Sequence, residues 1–402
     1  MLELEEALKQ ILSTVQPLEH EIVALAGSAG RIAAEPVMSP IDLPAFDNSA
    51  MDGYAVRAAD LTNAHADRPV ALRLTGKIAA GEVLSGKVED GTCVRLFTGS
   101  PLPAGADGVV MQEDTRPDRE HPDRIWFSGA VKPWENVRLR GEDVKRGAKL
   151  VEAGARIGAG HVALLAAAGV RDVKVGRQPR VAVLATGSEL FENDQPLPPG
   201  KIYESNRVML ATLMKRGGAV PEIFPLVSDT LKATRSNLEK ALTECDAVIT
   251  SGGVSVGEYD FVKAAFEDLG GKIAFWKISI RPGKPFVFGR AGGRFLFGLP
   301  GNPVSALVTF LLLARPALAR MQGATELELP KSPGLLTQPL ANPGDRRHFM
   351  RVAIDESGHV HPVGPQASHI LSSLADANGL VDVPPATVMS AGTSVSVLRW
   401  EW

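Results

Sequence analysis

The 402-residue sequence has only two cysteines, Cys93 and Cys245, far apart and without ligand spacing. A disulfide framework is thereby excluded, and a reducing compartment, the cytoplasm, is predicted. Its eight histidines form no H-E-x-x-H or comparable set, which argues against a hydrolytic or structural zinc site. No G-x-S-x-G elbow is present, so a serine hydrolase is not expected. Charge of one sign is lacking: the formal net charge is -3, which argues against a general nucleic-acid or acidic-membrane binder but leaves room for local basic pockets. The apolar run at 306–314 is too short to span a bilayer. The opening M-L-E-L-E-E-A-L-K-Q is acidic and helix-like, unlike a signal peptide.

What is abundant is glycine and proline, 40 and 29 residues. Apolar runs separate them, so they mark turns rather than disorder. A chain of this length predicts two to four domains. Leu4, Leu8, Ile11, Leu12 and Val15 fall at helical spacing over 2–15. From 69 to 140 short β-rich runs alternate with Gly, Pro and Asp turns, which predicts a small all-β domain inserted between two parts of a helical linker domain. Over 180–320 strands alternate with helices, which predicts a mostly parallel sheet covered on both faces. Asp229 is the expected N-cap of a helix over 229–244, and Asn302, with Pro303 at the first position, that of an apolar helix over 303–320. After about 328 the helices stop, and a small β-barrel or sandwich is expected. The fold class is therefore multidomain α/β plus all-β. The predicted division is 1–46 with 141–178 (helical linker), 47–140 (inserted β), 179–328 (α/β) and 329–402 (C-terminal β, barrel-like).

The polar turns carry the chemistry. S-G-G-V-S-V-G at 251–257 offers backbone N–H groups unobstructed by side chains, as a phosphate or pterin cradle requires. It is neither a Rossmann fingerprint nor a Walker loop, and its alternative is a tight turn with a packing role. R-P-G-K-P at 281–285 sets Arg281 and Lys284 around a stiff turn suited to an oxyanion, with Lys277 just upstream in a strand; exposed surface charges are the alternative. G-L-P-G-N-P-V-S-A at 298–306 leads into the apolar helix, whose positive end would face the same crevice. T-G-S-E-L at 186–190 opens a long loop bearing Glu189, a metal-orienting or merely solvated carboxylate. Asp229 and Asp260 can cap helices, face a metal, or both. The crevice at the carboxyl ends of parallel strands is where open α/β sheets hold ligands.

Taken in order, D-N-S-A-M-D-G-Y-A-V, F-T-G-S-P-L-P-A-G-A-D, G-E-D-V, T-G-S-E-L, S-G-G-V-S-V-G-E-Y-D, R-P-G-K-P and G-L-P-G-N-P-V-S resemble the MoeA-type molybdopterin molybdenumtransferases, the family that includes the E domain of gephyrin, over essentially the whole chain. The resemblance implies an elongated homodimer whose α/β domain is similar to the MogA/MoaB fold. It implies insertion of molybdenum from molybdate into adenylylated molybdopterin, with Mg²⁺-dependent cleavage of the pyrophosphate link and release of AMP. Its expected partners are a molybdopterin adenylyltransferase and other cofactor-biosynthesis proteins, with neither nucleic acid nor membrane.

Carried over motif by motif, the resemblance assigns catalytic positions to Asp52, Thr98, Asp143, Glu189, Asp260, Lys277 and Lys284. Glu189, Asp229 and Asp260 form the Mg²⁺-facing set. Ser251, Gly252, Gly253, Ser255 and Gly257, with Pro300, Gly301, Asn302 and Pro303, would bind the pterin and its phosphate. Arg281, Arg346, Arg351, Ser368 and Ser372 would hold molybdate or phosphate. The sequence departs from the family pattern at Ser188, where Asp is common beside the Glu, at Arg281, where Lys also occurs, and at Asp345, where Gly usually precedes the Arg. Two other readings of the same residues are a nucleotide phosphoanhydride hydrolase on this α/β fold and a non-catalytic dimeric scaffold.

Overall fold

The computed structural model describes residues 1–82, 85–254 and 261–400. Its centre is a six-stranded sheet in the order Val220–Ile223, Arg180–Ala185, Ala247–Ser251, Arg294–Leu299, Pro285–Ala291, Lys272–Lys277. The first four strands are mutually parallel and the last two antiparallel. The four inner strands are largely apolar and buried because both faces are covered, whereas the edge strands Val220–Ile223 and Lys272–Lys277 are partly exposed. Val181, Val183, Ala247, Ile249, Phe295 and Phe297 point to one face, towards helices Asn206–Arg216 and Pro303–Met321. Ala182, Leu184, Val248 and Leu296 point to the other, towards helices Leu231–Glu244 and Val262–Asp268.

The register sets the strand ends flush: Ala185 lies opposite Ser251, and Ser251 opposite Leu299. The turns that follow, at 186–190, 252–254 and 300–303, therefore emerge side by side. Among the described residues, one helix, Pro303–Met321, is long and apolar enough to cross a membrane, and 83% of its most apolar window is buried inside the protein. It is a core helix.

The N-terminal helix Leu4–Thr14 turns Leu4, Ala7 and Ile11 into that same core, and its flank is held by Leu2 N–H donating to the Lys277 carbonyl at 3.2 Å. A fully buried isoleucine such as Ile11 contributes roughly 1.5–3 kcal/mol to this attachment. The linker region itself is built more from strands than from helices. His20–Ala24 pairs with Asp172–Gly176, Val37–Met38 pairs with Lys149–Val151, and helix Ala159–Ala167 lies beside them. Inserted between its two parts is a second six-stranded sheet, in the order Gly108–Met111, Gly53–Val56, Thr92–Leu96, Val70–Ile78, Arg124–Phe127, Thr115–Pro117.

At the C-terminal end, strands Arg347–Ile354, His359–Pro362, Lys331–Leu336, Ser394–Arg399 and Gly379–Val383 close on themselves as a five-stranded barrel. One stretch of the chain is divided between two sheets. The run 273–280 forms Lys272–Lys277 in the α/β sheet, while Ile280–Arg281 joins the barrel beside Arg347 and His348. Similarly, the run 220–227 is a strand only over Val220–Ile223, since Pro225 supplies no amide for a ladder.

Candidate active site

The flush strand ends surround a cavity of about 650 Å³. Its walls include Thr186, Gly187, Glu189, Asp229, Ser251, Gly252, Gly253 and the turn Pro300–Gly301–Asn302–Pro303. Nine residues predicted from sequence thus meet in one place: Glu189, Asp229, Ser251, Gly252, Gly253, Pro300, Gly301, Asn302 and Pro303. Ser255, Gly257 and Asp260 lie outside the described residues.

Glycine is required at the cavity floor. Gly252 and Gly253 have φ of +88° and +68°. A Cβ on Gly253 would stand 2.7 Å from Thr186 Oγ1 and 2.8 Å from Val262. The turn therefore lies directly against Thr186, whose buried hydroxyl has no hydrogen-bond partner among the described residues. Asn206, at the start of its helix, joins two of the walls: Nδ2 donates to Ser251 Oγ at 2.8 Å and to the Gly301 carbonyl at 2.7 Å.

Asp229 does not cap the following helix as expected. Thr230 is the cap residue, accepting from Ala233 N–H at 3.2 Å. The Asp229 carboxylate instead turns towards the Glu189 loop, where Oδ2 accepts the Ser188 amide (2.6 Å) and hydroxyl (2.9 Å). Ser188, the departure from the family pattern, is thus the residue that joins the two acidic loops. Asn302 occupies the N-cap position of its helix but makes no capping bond with its side chain. Its Nδ2 donates to Ser368 Oγ at 2.9 Å, and the Ser368 carbonyl accepts Val304 N–H at 3.2 Å. One of the two predicted serines is thereby held at the N-terminus of the core helix, with His369 on the cavity wall. Ser372 lies a few residues on, exposed in the short helix Ser372–Asp376.

The basic candidates form a second group towards the barrel. Arg346 Nη1 donates to the Ile280 carbonyl at 2.9 Å, and Arg281 lies opposite His348 in the register. Arg347 is engaged elsewhere, paired with Asp382 and Glu5. Arg351 is fully buried: Nη2 donates to the carbonyls of Pro365 (2.6 Å) and Ala367 (3.3 Å), while Nε and Nη1 have no partner among the described residues. Burial, and then the charges of Arg281, Arg351 and Arg346, push the His348 pKa down to about 4. Lys277 lies over the Trp276 ring, 3.6 Å from its centroid, and Lys284 is exposed.

A third group sits on the inserted sheet and the linker that follows it. Asp52 Oδ1 accepts both the amide and the hydroxyl of Thr98, at 2.8 and 2.9 Å. These bonds, the amide first, hold the Asp52 pKa below the ordinary carboxylate value. Asp143 is exposed, its backbone amide on the Leu43 carbonyl at 3.1 Å. Asp52, Thr98, Asp143, Lys277, Arg281, Lys284, Arg346 and Arg351 do not line the cavity of this single chain.

Sequence reading missed the wall formed by Tyr203, Glu204, Ser205 and Asn206. The sole available signal was the Y-E-S-N-R run opening a helix, which also reads as ordinary capping. Among the described residues no group of three His, Cys, Asp or Glu side chains is arranged to hold a metal unaided. Glu189 and Asp229 on the cavity wall nevertheless fit Mg²⁺, which takes one or two carboxylates and completes its shell with phosphate oxygens and waters.

Comparison with known proteins gives a consistent result along the chain. Residues 2–169 match the family model of the MoeA N-terminal region (domain I and II), 182–320 that of a probable molybdopterin binding domain, and 333–400 that of the MoeA C-terminal region (domain IV). A molybdopterin molybdenumtransferase of Haemophilus influenzae is 39% identical over 99% of this chain and 98% of its own. That of Bacillus subtilis is 35% identical over 99% and 96%. A crystal structure of a molybdopterin biosynthesis MoeA protein from Pyrococcus horikoshii superposes with a TM-score of 0.85 at 34% identity, covering both chains fully.

Proposed function

Because the chain belongs to the MoeA family of molybdopterin molybdenumtransferases, we propose that it inserts molybdenum from molybdate into adenylylated molybdopterin and releases AMP, a late step of molybdenum cofactor biosynthesis. The observation that carries the reading is the single cavity where two acidic loops, a glycine turn and a glycine-proline turn meet at the ends of parallel strands.

In this reading the cradle of Ser251, Gly252 and Gly253 and the turn Pro300–Pro303 bind the pterin and its phosphate through backbone N–H groups. Glu189 and Asp229, with Asp260, hold Mg²⁺ against the pyrophosphate. When bound, that ion neutralises charge developing on the phosphate oxygens during cleavage. The protein's own contribution is positioning. Ser188 orients the Asp229 carboxylate by two hydrogen bonds, and Asn206 fixes the distance between the Ser251 and Gly301 walls. Arg281, Lys284, Arg346 and Arg351, with Lys277, Ser368 and Ser372, receive molybdate: a dianion is matched by guanidinium, ammonium and hydroxyl donors. The two nitrogens of buried Arg351 without a partner among the described residues support this assignment. Asp52, Thr98 and Asp143 act from the inserted sheet and following linker of the partner subunit in a homodimer. Their absence from the cavity wall of one chain supports a site shared between two.

The four-part division 1–46 with 141–178, 47–140, 179–328 and 329–402 belongs to the same reading. Separate clusters of buried side chains in the linker, the inserted sheet and the barrel support it, while the α/β core extends to helix Leu4–Thr14 and to Phe349, Leu380 and Trp400 at the barrel. The protein works in the cytoplasm beside the adenylyltransferase that supplies its substrate. The experiment is direct: purified protein with adenylylated molybdopterin, molybdate and Mg²⁺ releases AMP and yields cofactor that activates an apo-molybdoenzyme. Absence of both products rejects the function.

A further inference from the structure

The two acidic side chains of the cavity sit on segments with little regular structure of their own. Glu189 lies on the turn after strand Arg180–Ala185, and Asp229 on the stretch between Val220–Ile223 and Leu231–Glu244. One buried side chain, next in sequence to the cavity-wall residue Asn206, bonds both segments. Arg207, with only 5% of its side chain exposed, stands in the first turn of helix Asn206–Arg216. Its amide and Nε donate to the two oxygens of Glu204, at 2.9 and 2.8 Å. Its Nη2 donates to both oxygens of Glu192, at 2.9 and 2.8 Å, and its Nη1 to the Phe224 carbonyl at 2.5 Å.

Each partner leads to the site. Glu192 follows Glu189 through the short strand Leu190–Phe191, which pairs with Ile202–Tyr203. Phe224 begins the stretch that ends at Asp229. Glu204 is itself a cavity-wall residue. Burial pulls the Arg207 pKa down, and the bonds to Glu204 and Glu192 more than restore it, so the guanidinium is charged. Removing it would leave the buried Glu204 carboxylate without its counter-charge on the wall of the metal site.

We propose that Arg207 is a positioning residue for the reaction: its guanidinium clamps the Glu189 loop and the Asp229 loop at a fixed separation and keeps the Glu204 carboxylate away from the cation. The role follows from the planar fork of five donors, which serves three segments at once. A lysine would keep the charge but not the fork. The inference rests on the reading of Glu189 and Asp229 as the cation-facing pair.

The test compares wild type, Arg207→Lys and Arg207→Met as full-length proteins. Amide hydrogen exchange is measured without substrate or metal, and AMP release is then measured across a Mg²⁺ titration. In Arg207→Met, peptides covering 187–192 and 224–229 exchange faster together, while strand Ala247–Ser251 keeps its protection. The half-saturating Mg²⁺ concentration rises about tenfold or more, the usual cost of losing a residue that orients metal ligands, with a smaller change in the rate at saturation. Arg207→Lys falls between the two. Unchanged exchange in both segments, or a half-saturation within twofold of wild type, overturns the proposal. If Arg207→Met does not fold, Glu192→Gln removes only the half-exposed arm of the clamp and carries the same test at 187–192. If wild type shows no Mg²⁺-dependent AMP release, the reading of the site fails, while the exchange measurement still decides the clamp.

Discussion

The amide and hydroxyl of Thr98 converge on one oxygen of Asp52, at 2.8 and 2.9 Å, so the other oxygen of a half-buried carboxylate is left for another partner. Both bonds favour the ionised form and account for the depressed pKa. Thr98→Val removes the hydroxyl and keeps the amide. Its Asp52 pKa is expected to rise towards the ordinary value, moving the acidic limb of the rate profile to higher pH. Asp52→Asn is expected to lower AMP release at every pH by about a hundredfold, the scale of a lost acid–base or charge-stabilising group. A pH–rate profile of both variants checks this, and an unshifted acidic limb in Thr98→Val would reject the coupling.

Asp229 and Thr230 are neighbours with separate tasks, and substitution distinguishes them. Thr230→Ala loses the side-chain cap of helix Leu231–Glu244 and costs about 1 kcal/mol of stability with little effect on the reaction. Asp229→Ala does the reverse: unfolding free energy changes little, because among the described residues the carboxylate bonds Ser188 alone, while Mg²⁺-dependent AMP release collapses. Urea denaturation together with turnover measurements decides the matter.

Gly253→Ala introduces a Cβ at φ +68°, 2.7 Å from Thr186 Oγ1 and 2.8 Å from Val262. The left-handed conformation alone costs roughly 1 kcal/mol or more. The variant is expected to fold with a lowered Tm and to lose pterin affinity, since relieving the contact moves the cradle. Calorimetric titration with molybdopterin measures it; wild-type affinity would show that the cradle is not the binding element.

His348 makes stability depend on acidity. Its folded pKa of about 4 lies below the ordinary histidine value, so between the two the unfolded chain binds a proton that the folded chain does not. Stability therefore falls as pH drops through that window, by up to about 3 kcal/mol near pH 4. His348→Gln is expected to flatten this part of the curve relative to wild type. Urea unfolding of both proteins at pH 7 and pH 4.5 gives the difference directly.

The α/β sheet and the all-β ends were legible because uninterrupted apolar strands and regularly spaced turns are local signals. The cavity floor was legible too: glycines at 252 and 253 and the prolines around 301 state a backbone requirement in the residue types themselves. What distance along the chain conceals is which partner a polar group chooses. Asp229 and Asn302 both stand where caps stand, and each sends its side chain to a loop far away in sequence, Asp229 to Ser188 and Asn302 to Ser368. Arg207 was invisible for the same reason. A basic residue in the first turn of a helix reads as a solvated charge, until the fold brings Glu192 and Phe224 over it. Nor does the sequence reveal that Arg351, expected to hold the anion, is fully buried.

The strand Ile280–Arg281 leaves the α/β sheet and lies along Arg347 and His348 of the barrel. The barrel is thus not a transplantable module. A fragment begun at the start of Lys331–Leu336 would keep its five strands yet expose the backbone of 347–348 that the missing strand covers. Such an uncovered edge invites pairing with other chains. Recombination that exchanged the barrel between relatives would therefore have to carry the 280–281 segment with it, and with that segment goes Arg281, the first arginine of the turn proposed to bind the anion.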